Sequence, residues 1–177
     1  MTMIRQLSAL ALALLLAAGP TLAQTVVIVR HGEKAFPDGD PDLSDAGQAR
    51  ARALAAALSN AKVTMVLATP LKRTQQTAQP TADAAGVKIQ TIALEGGVPA
   101  HAQRVAAAAR TAPEDGTVLV VGHSNTIGEI ARALGDAAPG PVTDCDYDQM
   151  TIVSLSTPSS RAIHARYGAA TQACPGG

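Results

Sequence analysis

The segment Thr25-Val-Val-Ile-Val-Arg-His-Gly32 joins a short apolar run directly to a basic tripeptide that ends in glycine. All five residues from Thr25 to Val29 are β-branched and four of them are apolar. This pattern predicts a strand buried on both faces, as in the centre of a parallel sheet. Such a strand would place Arg30 and His31 at the carboxyl edge of the sheet, where open α/β sheets bind their ligands.

Strands and helices are predicted to alternate along the rest of the chain. The further predicted strands lie at 64–68, 87–92, 117–121, 150–155 and 162–167. The predicted helices lie at 44–60, 72–85, 102–110 and 126–134. The last two strands flank a turn and predict a hairpin. The order predicts α/β architecture: a single-domain three-layer α/β/α sandwich, with a mainly parallel sheet and an antiparallel edge hairpin.

Size and composition exclude several classes of protein. The chain has 177 residues and is 47% hydrophobic, which suits one domain with a substantial core. Its 14 basic and 14 acidic side chains balance without a block of like charge, so nothing indicates a nucleic-acid partner. Aromatic residues make up only 2%, too few for base-stacking platforms. Two cysteines cannot build a disulfide-dense scaffold or a four-cysteine zinc site.

Residues 1–23 have the layout of a secretory signal peptide. Arg5 precedes a run from Leu7 to Ala18 that is apolar except for Ser8, and Thr21-Leu-Ala23 offers small residues for cleavage. A run of about 12 residues is too short for a membrane core, which needs about 20. We therefore expect a signal peptide at 1–23, a domain at 24–177, periplasmic or secreted localisation, and no membrane anchor after cleavage.

Cationic, imidazole and carboxylate side chains follow the predicted strands at the points where these strands end. Arg30 and His31 follow the first strand, Arg73 the second, Glu95 the third and His123 the fourth. Because the carboxyl ends of parallel strands lie at one edge of a sheet, we expect these side chains to converge. Two guanidinium groups and two imidazoles would repel one another without an anion among them. A phosphate dianion suits forked guanidinium donors best.

Four segments of the chain, in order, resemble the motifs of the histidine phosphatase superfamily, also called phosphoglycerate-mutase-like or RHG proteins. The segments are Val29-Arg-His-Gly-Glu-Lys34, Leu43-Ser-Asp-Ala-Gly-Gln-Ala49, Thr69-Pro-Leu-Lys-Arg-Thr-Gln-Gln-Thr-Ala78 and Val120-Val-Gly-His-Ser124. The resemblance extends over residues 26–167, which is nearly all of the expected mature domain.

The resemblance implies roles for the residues that match these motifs. His31 would be the nucleophile that becomes phosphorylated, and Arg30, Arg73 and His123 would hold the phosphoryl oxygens, with Ser124 assigned to the same phosphate-binding set. A neutral imidazole nitrogen can attack phosphorus and split one displacement into two. A cationic pocket stabilises the charge on the equatorial oxygens, so no metal and no cofactor is expected.

The sequence does not determine which residue donates a proton to the leaving group. Many members of the superfamily place a carboxylate after the third strand, where Glu95 is the only one before Glu114. The residues that follow, Gly96-Gly-Val-Pro99, do not reproduce the usual surroundings of that acid, and short members such as bacterial phosphohistidine phosphatases lack it. Glu95 is the candidate acid, and Glu33 is the alternative unless it forms a salt bridge with Lys34.

The sequence therefore predicts a metal-independent phosphomonoester hydrolase that acts on a small phosphorylated substrate through a phosphohistidine on His31. Three alternatives stay open: a phosphohistidine-protein phosphatase, a phosphoglycerate-type mutase and a non-catalytic phosphate-binding module. Specificity is expected to come from the loops at 35–42 and 96–102, and oligomeric state is not determined. The remaining histidines, His101 and His164, lie outside the motifs and are expected to be surface or packing residues.

An acidic loop and the two cysteines complete the predictions. Asp38, Asp40 and Asp42 have the spacing of a calcium loop, but the rest of an EF-hand pattern is missing, so a solvated loop is expected.

Cys145 and Cys174 are expected to form a disulfide, because export favours oxidation and the predicted hairpin places Cys145 opposite residue 172.

Overall fold

The computed structural model describes residues 23–156 and 159–171, which form a six-stranded mixed sheet covered by helices. The strands are β1 (Gln24–Arg30), β2 (Val63–Ala68), β3 (Ile89–Thr91), β4 (Thr117–Gly122), β5 (Gln149–Leu155) and β6 (Arg161–Arg166). The helices are α1 (Asp45–Ala57), α2 (Lys72–Ala85), α3 (Gly97–Ala109) and α4 (Ile127–Leu134).

The sheet has the strand order β3-β2-β4-β1-β5-β6. Strand β1 lies inside the sheet, parallel to β4 and antiparallel to β5, so that Val26 pairs with Val118 on one side and with Val153 on the other. Strands β2 and β3 continue the parallel part, and β5 and β6 form the antiparallel edge hairpin. The predicted fold class is confirmed, and the central position of β1 explains its uninterrupted apolar run.

Alternate residues of β1 face two separate cores. Val26 and Ile28 pack with residues of α3 and α4, whereas Val27 and Val29 pack with residues of α1 and α2. Consecutive side chains of a strand point to opposite faces, so a strand between two helical layers must be apolar at every position. The three-layer sandwich therefore follows directly from the composition of β1.

Helix α3 begins earlier than the sequence predicts. The structure starts it at Gly97 rather than at residue 102, and Gly96 and Gly97 have φ angles of 78° and 80°. Only glycine adopts this left-handed region without strain, so the two glycines let the chain turn directly into the helix. The predicted loop at 96–102 is thus the cap and first turns of α3.

The hairpin has a different register from the predicted one. Gln149 pairs with Arg166 and Ser154 with Arg161. If this register is continued beyond the strands, residue 170, rather than the predicted 172, lies opposite Cys145. A shift by two residues keeps every side chain on its own face of the sheet, so the hydrophobic pattern does not distinguish the two registers. Cys174 lies outside the described residues, and its disulfide with Cys145 stays a prediction.

The predicted signal peptide also lies outside the described residues for almost all of its length, and it stays a prediction. Within 23–156 and 159–171, no helix is long and apolar enough to cross a membrane.

Candidate active site

Four of the predicted side chains meet at the carboxyl ends of β1, β2 and β4. Arg30 ends β1 and His31 follows it, His123 directly follows β4, and Arg73 lies in the first turn of α2, after β2. The ring centroids of His31 and His123 are 5.3 Å apart, and the charges of both arginines act on both imidazoles. The convergence that strand order predicts is therefore present in the structure.

Two glycines allow the His31 segment to pack against the start of α1. A Cβ atom on Gly32 would lie 2.9 Å from the carbonyl oxygen of Gly47, and one on Gly47 would lie 2.2 Å from that of Glu33. Neither position has room for a side chain. The Gly32 N–H also donates to Thr77 Oγ1 over 2.9 Å. The backbone that follows His31 is thus held by α1 and α2.

The imidazole of His31 is held in one neutral tautomer. Its side chain is buried, and Nδ1 lies 2.7 Å from the carbonyl oxygen of Gly32. A carbonyl only accepts hydrogen bonds, so Nδ1 carries the proton and Nε2 carries a lone pair. Burial, with help from the charges of Arg30 and Arg73, lowers the pKa of His31 to about 4. The Nε2 atom is therefore an unprotonated nitrogen at neutral pH.

A chain of hydroxyl groups orients the second imidazole. His123 Nε2 lies 3.0 Å from Thr69 Oγ1, which lies 2.8 Å from Thr74 Oγ1. Thr74 Oγ1 in turn donates to the carbonyl of Leu71 over 2.8 Å. The single hydroxyl proton of Thr74 is used in the bond to the Leu71 carbonyl, so Thr69 must donate to Thr74. Thr69 then has no proton left for His123, and His123 Nε2–H must donate to Thr69. Burial first, and then the neighbouring His31 and Arg73, lower the pKa of His123 to about 3.

A loop before β5, which the sequence does not predict as part of the site, positions Arg30. The guanidinium carbon of Arg30 lies 4.1 Å from the ring centroid of Tyr147, and Nη1 donates to the carbonyl of Thr143 over 3.0 Å. The Tyr147 ring also faces His31 edge-on, with centroids 6.1 Å apart. No motif marks this loop. Its only signal in the sequence is the polar run Thr143-Asp-Cys-Asp-Tyr-Asp148 between α4 and β5.

The carboxylate of Asp144 lies among the donors that are predicted to bind phosphate. Ser124 Oγ donates to Asp144 Oδ1 over 2.9 Å, and the same oxygen lies 3.9 Å from Arg30 Nη2. The Asp144 side chain is 89% exposed, so it has room to move away from Ser124 and Arg30. In this structure Asp144 thus occupies donors that the oxygens of a bound anion would use.

The acidic loop is exposed, as the sequence predicts, and two of its carboxylates pair with α2. Asp40 Oδ1 lies 3.3 Å from Arg73 Nη1 and accepts the backbone N–H of Lys72 over 3.0 Å. Asp42 accepts from the side-chain amide of Gln76 over 2.8 Å. Within the described part of the chain, no group of three or more histidine, cysteine or acidic residues could hold a metal ion.

Glu33 is bound to an arginine, though not to the neighbouring lysine. Arg50 donates from Nε and Nη2 to the Glu33 carboxylate, with a shortest distance of 2.7 Å. The same arginine donates to the carbonyls of Tyr167 and Ala169 over 3.3 and 3.0 Å. Lys34 instead donates to the carbonyl of Pro37. Glu33 therefore helps to anchor the segment after β6 to α1.

Glu95 lies apart from the two imidazoles. The residue is exposed in the turn before α3, and its backbone carbonyl accepts a hydrogen bond from Arg104. Gly97 and Val98, which follow it closely, line a cavity of about 290 Å³ that also borders Arg73 and His123. Glu95 itself is not among the residues that line this cavity, so the structure brings its neighbours, rather than its carboxylate, to the cavity.

The other two histidines differ in burial. His101 is only 1% exposed and lines the cavity beside His123, so of the two predicted roles it has the packing one. Its sequence neighbourhood is an alanine-rich helix and carries no signal of a site. His164 on β6 is half-exposed and lies 3.2 Å from a carboxylate oxygen of Asp136, as a surface role predicts.

Comparison with known proteins agrees with the fold and the motifs. The family model of the histidine phosphatase superfamily (branch 1) matches residues 26–94. The sequence has no significant match among curated proteins.

Solved structures with a similar fold include several phosphatases. The protein histidine phosphatase SixA complexed with tungstate is 19% identical, with a TM-score of 0.63 over 80% of this chain and 96% of that one. A putative phosphohistidine phosphatase SixA from Agrobacterium tumefaciens is 20% identical, with a TM-score of 0.60 over 81% and 98%. A mycobacterial glucosyl-3-phosphoglycerate phosphatase complexed with VO3 is 18% identical, with a TM-score of 0.61 over 82% and 99%.

The architecture is thus that of a phosphoglycerate-mutase-like α/β protein with paired histidines at the carboxyl edge of its sheet. Residues 26–94, less than half of the chain, match the histidine phosphatase superfamily, and the likeness in fold to solved structures extends over about four fifths of the chain.

Proposed function

We propose that this protein hydrolyses small phosphomonoesters through a covalent phosphohistidine on His31. The proposal rests on the tautomer and the protonation of the His31 imidazole. The bond from Nδ1 to the Gly32 carbonyl leaves the Nε2 lone pair available, and the lowered pKa keeps the ring neutral. An oriented neutral imidazole is the form that attacks phosphorus.

The phosphoryl group would be held by Arg30, Arg73, His123 and Ser124. The buried Nε–H groups of both arginines have no hydrogen-bond partner among the described residues. Buried donors without a partner are rare in proteins, and phosphate oxygens would satisfy them. The Asp144 carboxylate would move away as the anion enters, because it now takes the Ser124 donor.

His123 would gain a proton when a dianion binds. In the free protein its Nε2–H is engaged by Thr69, so the neutral ring presents Nδ1 only as an acceptor. A nearby dianion favours the imidazolium form and raises the pKa of His123. The protonated ring could then donate from Nδ1 to a phosphoryl oxygen and still donate from Nε2 to Thr69.

The proposed reaction has two displacements. In the first, His31 Nε2 forms a bond to phosphorus, the ester P–O bond breaks, and the leaving oxygen takes a proton from an acid. We propose Glu95 for that acid, since its neighbours Leu94 and Gly97 line the cavity beside His123. In the second, water attacks the phosphohistidine, the P–N bond breaks, inorganic phosphate leaves, and the carboxylate takes a proton from the water. The arginines stabilise the charge on the equatorial oxygens in both steps.

Phosphate release by the purified protein tests the proposal. We expect turnover of p-nitrophenyl phosphate and of alkyl phosphates without added metal, and an acid-labile phosphoryl label on His31 after rapid quenching. His31→Ala should abolish both the turnover and the label. Arg73→Ala should lower kcat/KM by about 100- to 1,000-fold, as expected for a lost donor to transition-state charge.

Other outcomes would favour the alternatives. Stoichiometric binding of phosphate with no turnover of any ester would indicate a binding module. Transfer of the label to a second phosphoglycerate rather than to water would indicate a mutase. Turnover confined to phosphohistidine in a protein would indicate a phosphohistidine-protein phosphatase. Full activity of the His31→Ala variant would contradict the mechanism itself.

A further inference from the structure

A buried histidine borders the candidate site and takes no part in the proposed chemistry. His101 lies in α3, is 1% exposed, and lines the cavity of about 290 Å³ that also contains Arg73 and His123. His101 is close enough to His123 to be one of the causes that lower the pKa of His123. A ligand whose phosphate met Arg73 and His123 would extend toward His101.

Hydrogen bonding fixes the tautomer of His101 and leaves one nitrogen unpaired. Nδ1 lies 2.8 Å from the carbonyl oxygen of Ala93, so Nδ1 carries the proton and Nε2 is an acceptor. Nε2 is buried and has no hydrogen-bond partner among the described residues. A buried polar atom without a hydrogen-bond partner is rare. His101 Nε2 therefore needs a hydrogen-bond donor that the described residues do not supply.

The other residues that line the cavity are partly apolar and partly polar. Leu71, Leu94 and Val98 contribute apolar side chains, whereas Asn125 contributes an amide that can donate or accept. A carboxylate placed against His101 Nε2 would meet an acceptor lone pair, while a hydroxyl group could donate to it. The lining therefore suits a carbon skeleton that carries hydroxyl groups.

We propose that this cavity is the leaving-group subsite and that it selects phosphomonoesters of polyols or sugars. A hydroxyl of the alcohol moiety donates to His101 Nε2, and the carbon skeleton packs on Leu71, Leu94 and Val98. Nε2 is shielded from solvent in this structure, so a small displacement of the cavity wall accompanies binding. The proposal rests on the phosphatase function proposed above and names the class of its substrate.

Matched substrates test the role of the hydroxyl. We expect the wild-type protein to favour glycerol 1-phosphate over propyl phosphate by about tenfold in kcat/KM, as one hydrogen bond provides. His101→Leu removes the acceptor and should bring this ratio close to one. His101→Gln keeps an acceptor at the same end of the side chain and should restore part of the preference. His164→Leu, on the opposite part of the sheet, should leave the ratio as in the wild type.

A spectroscopic experiment covers the case in which the buried substitution prevents folding. In the His31→Ala variant, which should bind esters without turning them over, the ¹⁵N resonance of His101 Nε2 should move upfield with glycerol 1-phosphate and not with propyl phosphate. A ratio near one in an active wild-type protein, or equal ¹⁵N shifts with both esters, would overturn the subsite. Absence of turnover with both esters would instead contradict the proposed function, and the ¹⁵N comparison would still decide the subsite.

Discussion

The imidazoles of His31 and His123 lie with their centroids 5.3 Å apart and an interplanar angle of 63°. They follow the ends of the adjacent strands β1 and β4, whose last residues, Arg30 and Gly122, pair in register. Each ring is buried, and His31 contributes to the lowered pKa of His123. At neutral pH the site thus holds two neutral histidines beside two arginines.

The lowered pKa values predict acid sensitivity of the fold. The pKa is about 4 for His31 and about 3 for His123, below their usual 6.5, so the unfolded chain binds more protons within this range. Their contribution to the free energy of unfolding is complete above about pH 6.5 and is lost as the pH falls toward 4 and then 3. Since one pKa unit corresponds to about 1.4 kcal/mol, urea unfolding should show a loss of several kcal/mol between pH 7 and pH 4.

Inorganic phosphate provides the control for this prediction. An anion that binds the folded site favours the imidazolium form, so added phosphate should flatten the pH dependence of unfolding. Identical free energies of unfolding at pH 7 and pH 4 would contradict the buried neutral state of the two rings.

Thr69→Val should impair catalysis through His123. The substitution keeps the shape of the side chain but leaves His123 Nε2 and Thr74 Oγ1 without their shared partner. A lost hydrogen bond of this kind costs about 1–3 kcal/mol, so kcat should fall about 10- to 100-fold, with less effect on KM. Thr69→Ser retains the hydroxyl and should restore most of kcat.

The ¹⁵N resonances of His123 separate positioning from general damage at this position. Thr69→Val should populate both neutral tautomers of the ring, whereas the wild type should show Nε2 protonated. Unchanged kcat and an unchanged tautomer in Thr69→Val would show that the hydroxyl chain does not orient His123.

Asp144→Asn should strengthen the binding of anions. The carboxylate takes the Ser124 donor and lies 3.9 Å from Arg30 Nη2, so it competes with an incoming phosphate. Its side chain is largely exposed, which limits the effect to about 1 kcal/mol or less. We expect the inhibition constant of inorganic phosphate to fall up to about fivefold, measured with p-nitrophenyl phosphate as substrate.

Asp115→Asn is the matched control for Asp144→Asn. Asp115 pairs with Lys62 near the amino-terminal end of β4, at the opposite edge of the sheet from the two imidazoles. Its substitution removes the same charge and should leave the inhibition constant as it is. Equal effects of both variants would mean that only the net charge matters.

Glu95→Gln should affect alkyl phosphates more than aryl phosphates. An alkoxide needs a proton as it departs, whereas p-nitrophenolate hardly does. We expect kcat for glycerol 1-phosphate to fall by about 10²-fold or more, and kcat for p-nitrophenyl phosphate to fall much less. Equal losses on the two substrates would argue against Glu95 as the acid.

Local sequence determined the elements and the edge at which the site lies. The β-branched run of β1 required burial on both faces, and the spacing of Arg30, His31, Arg73 and His123 after the strands predicted their convergence. Gly86 and Gly135 end α2 and α4 in the left-handed region, which favours glycine. Chain order and hydrophobic period act over short distances, and a single sequence displays them directly.

Tertiary structure decided which distant residues complete the site. Thr143 lies 113 positions from Arg30 and His123 lies 54 positions from Thr69, yet each pair is hydrogen-bonded. The burial of His101, like the pairing of Asp40 with Arg73, also depends on how loops and helices pack. No local pattern encodes such contacts, because they arise only when separate segments are brought together by the burial of both faces of β1.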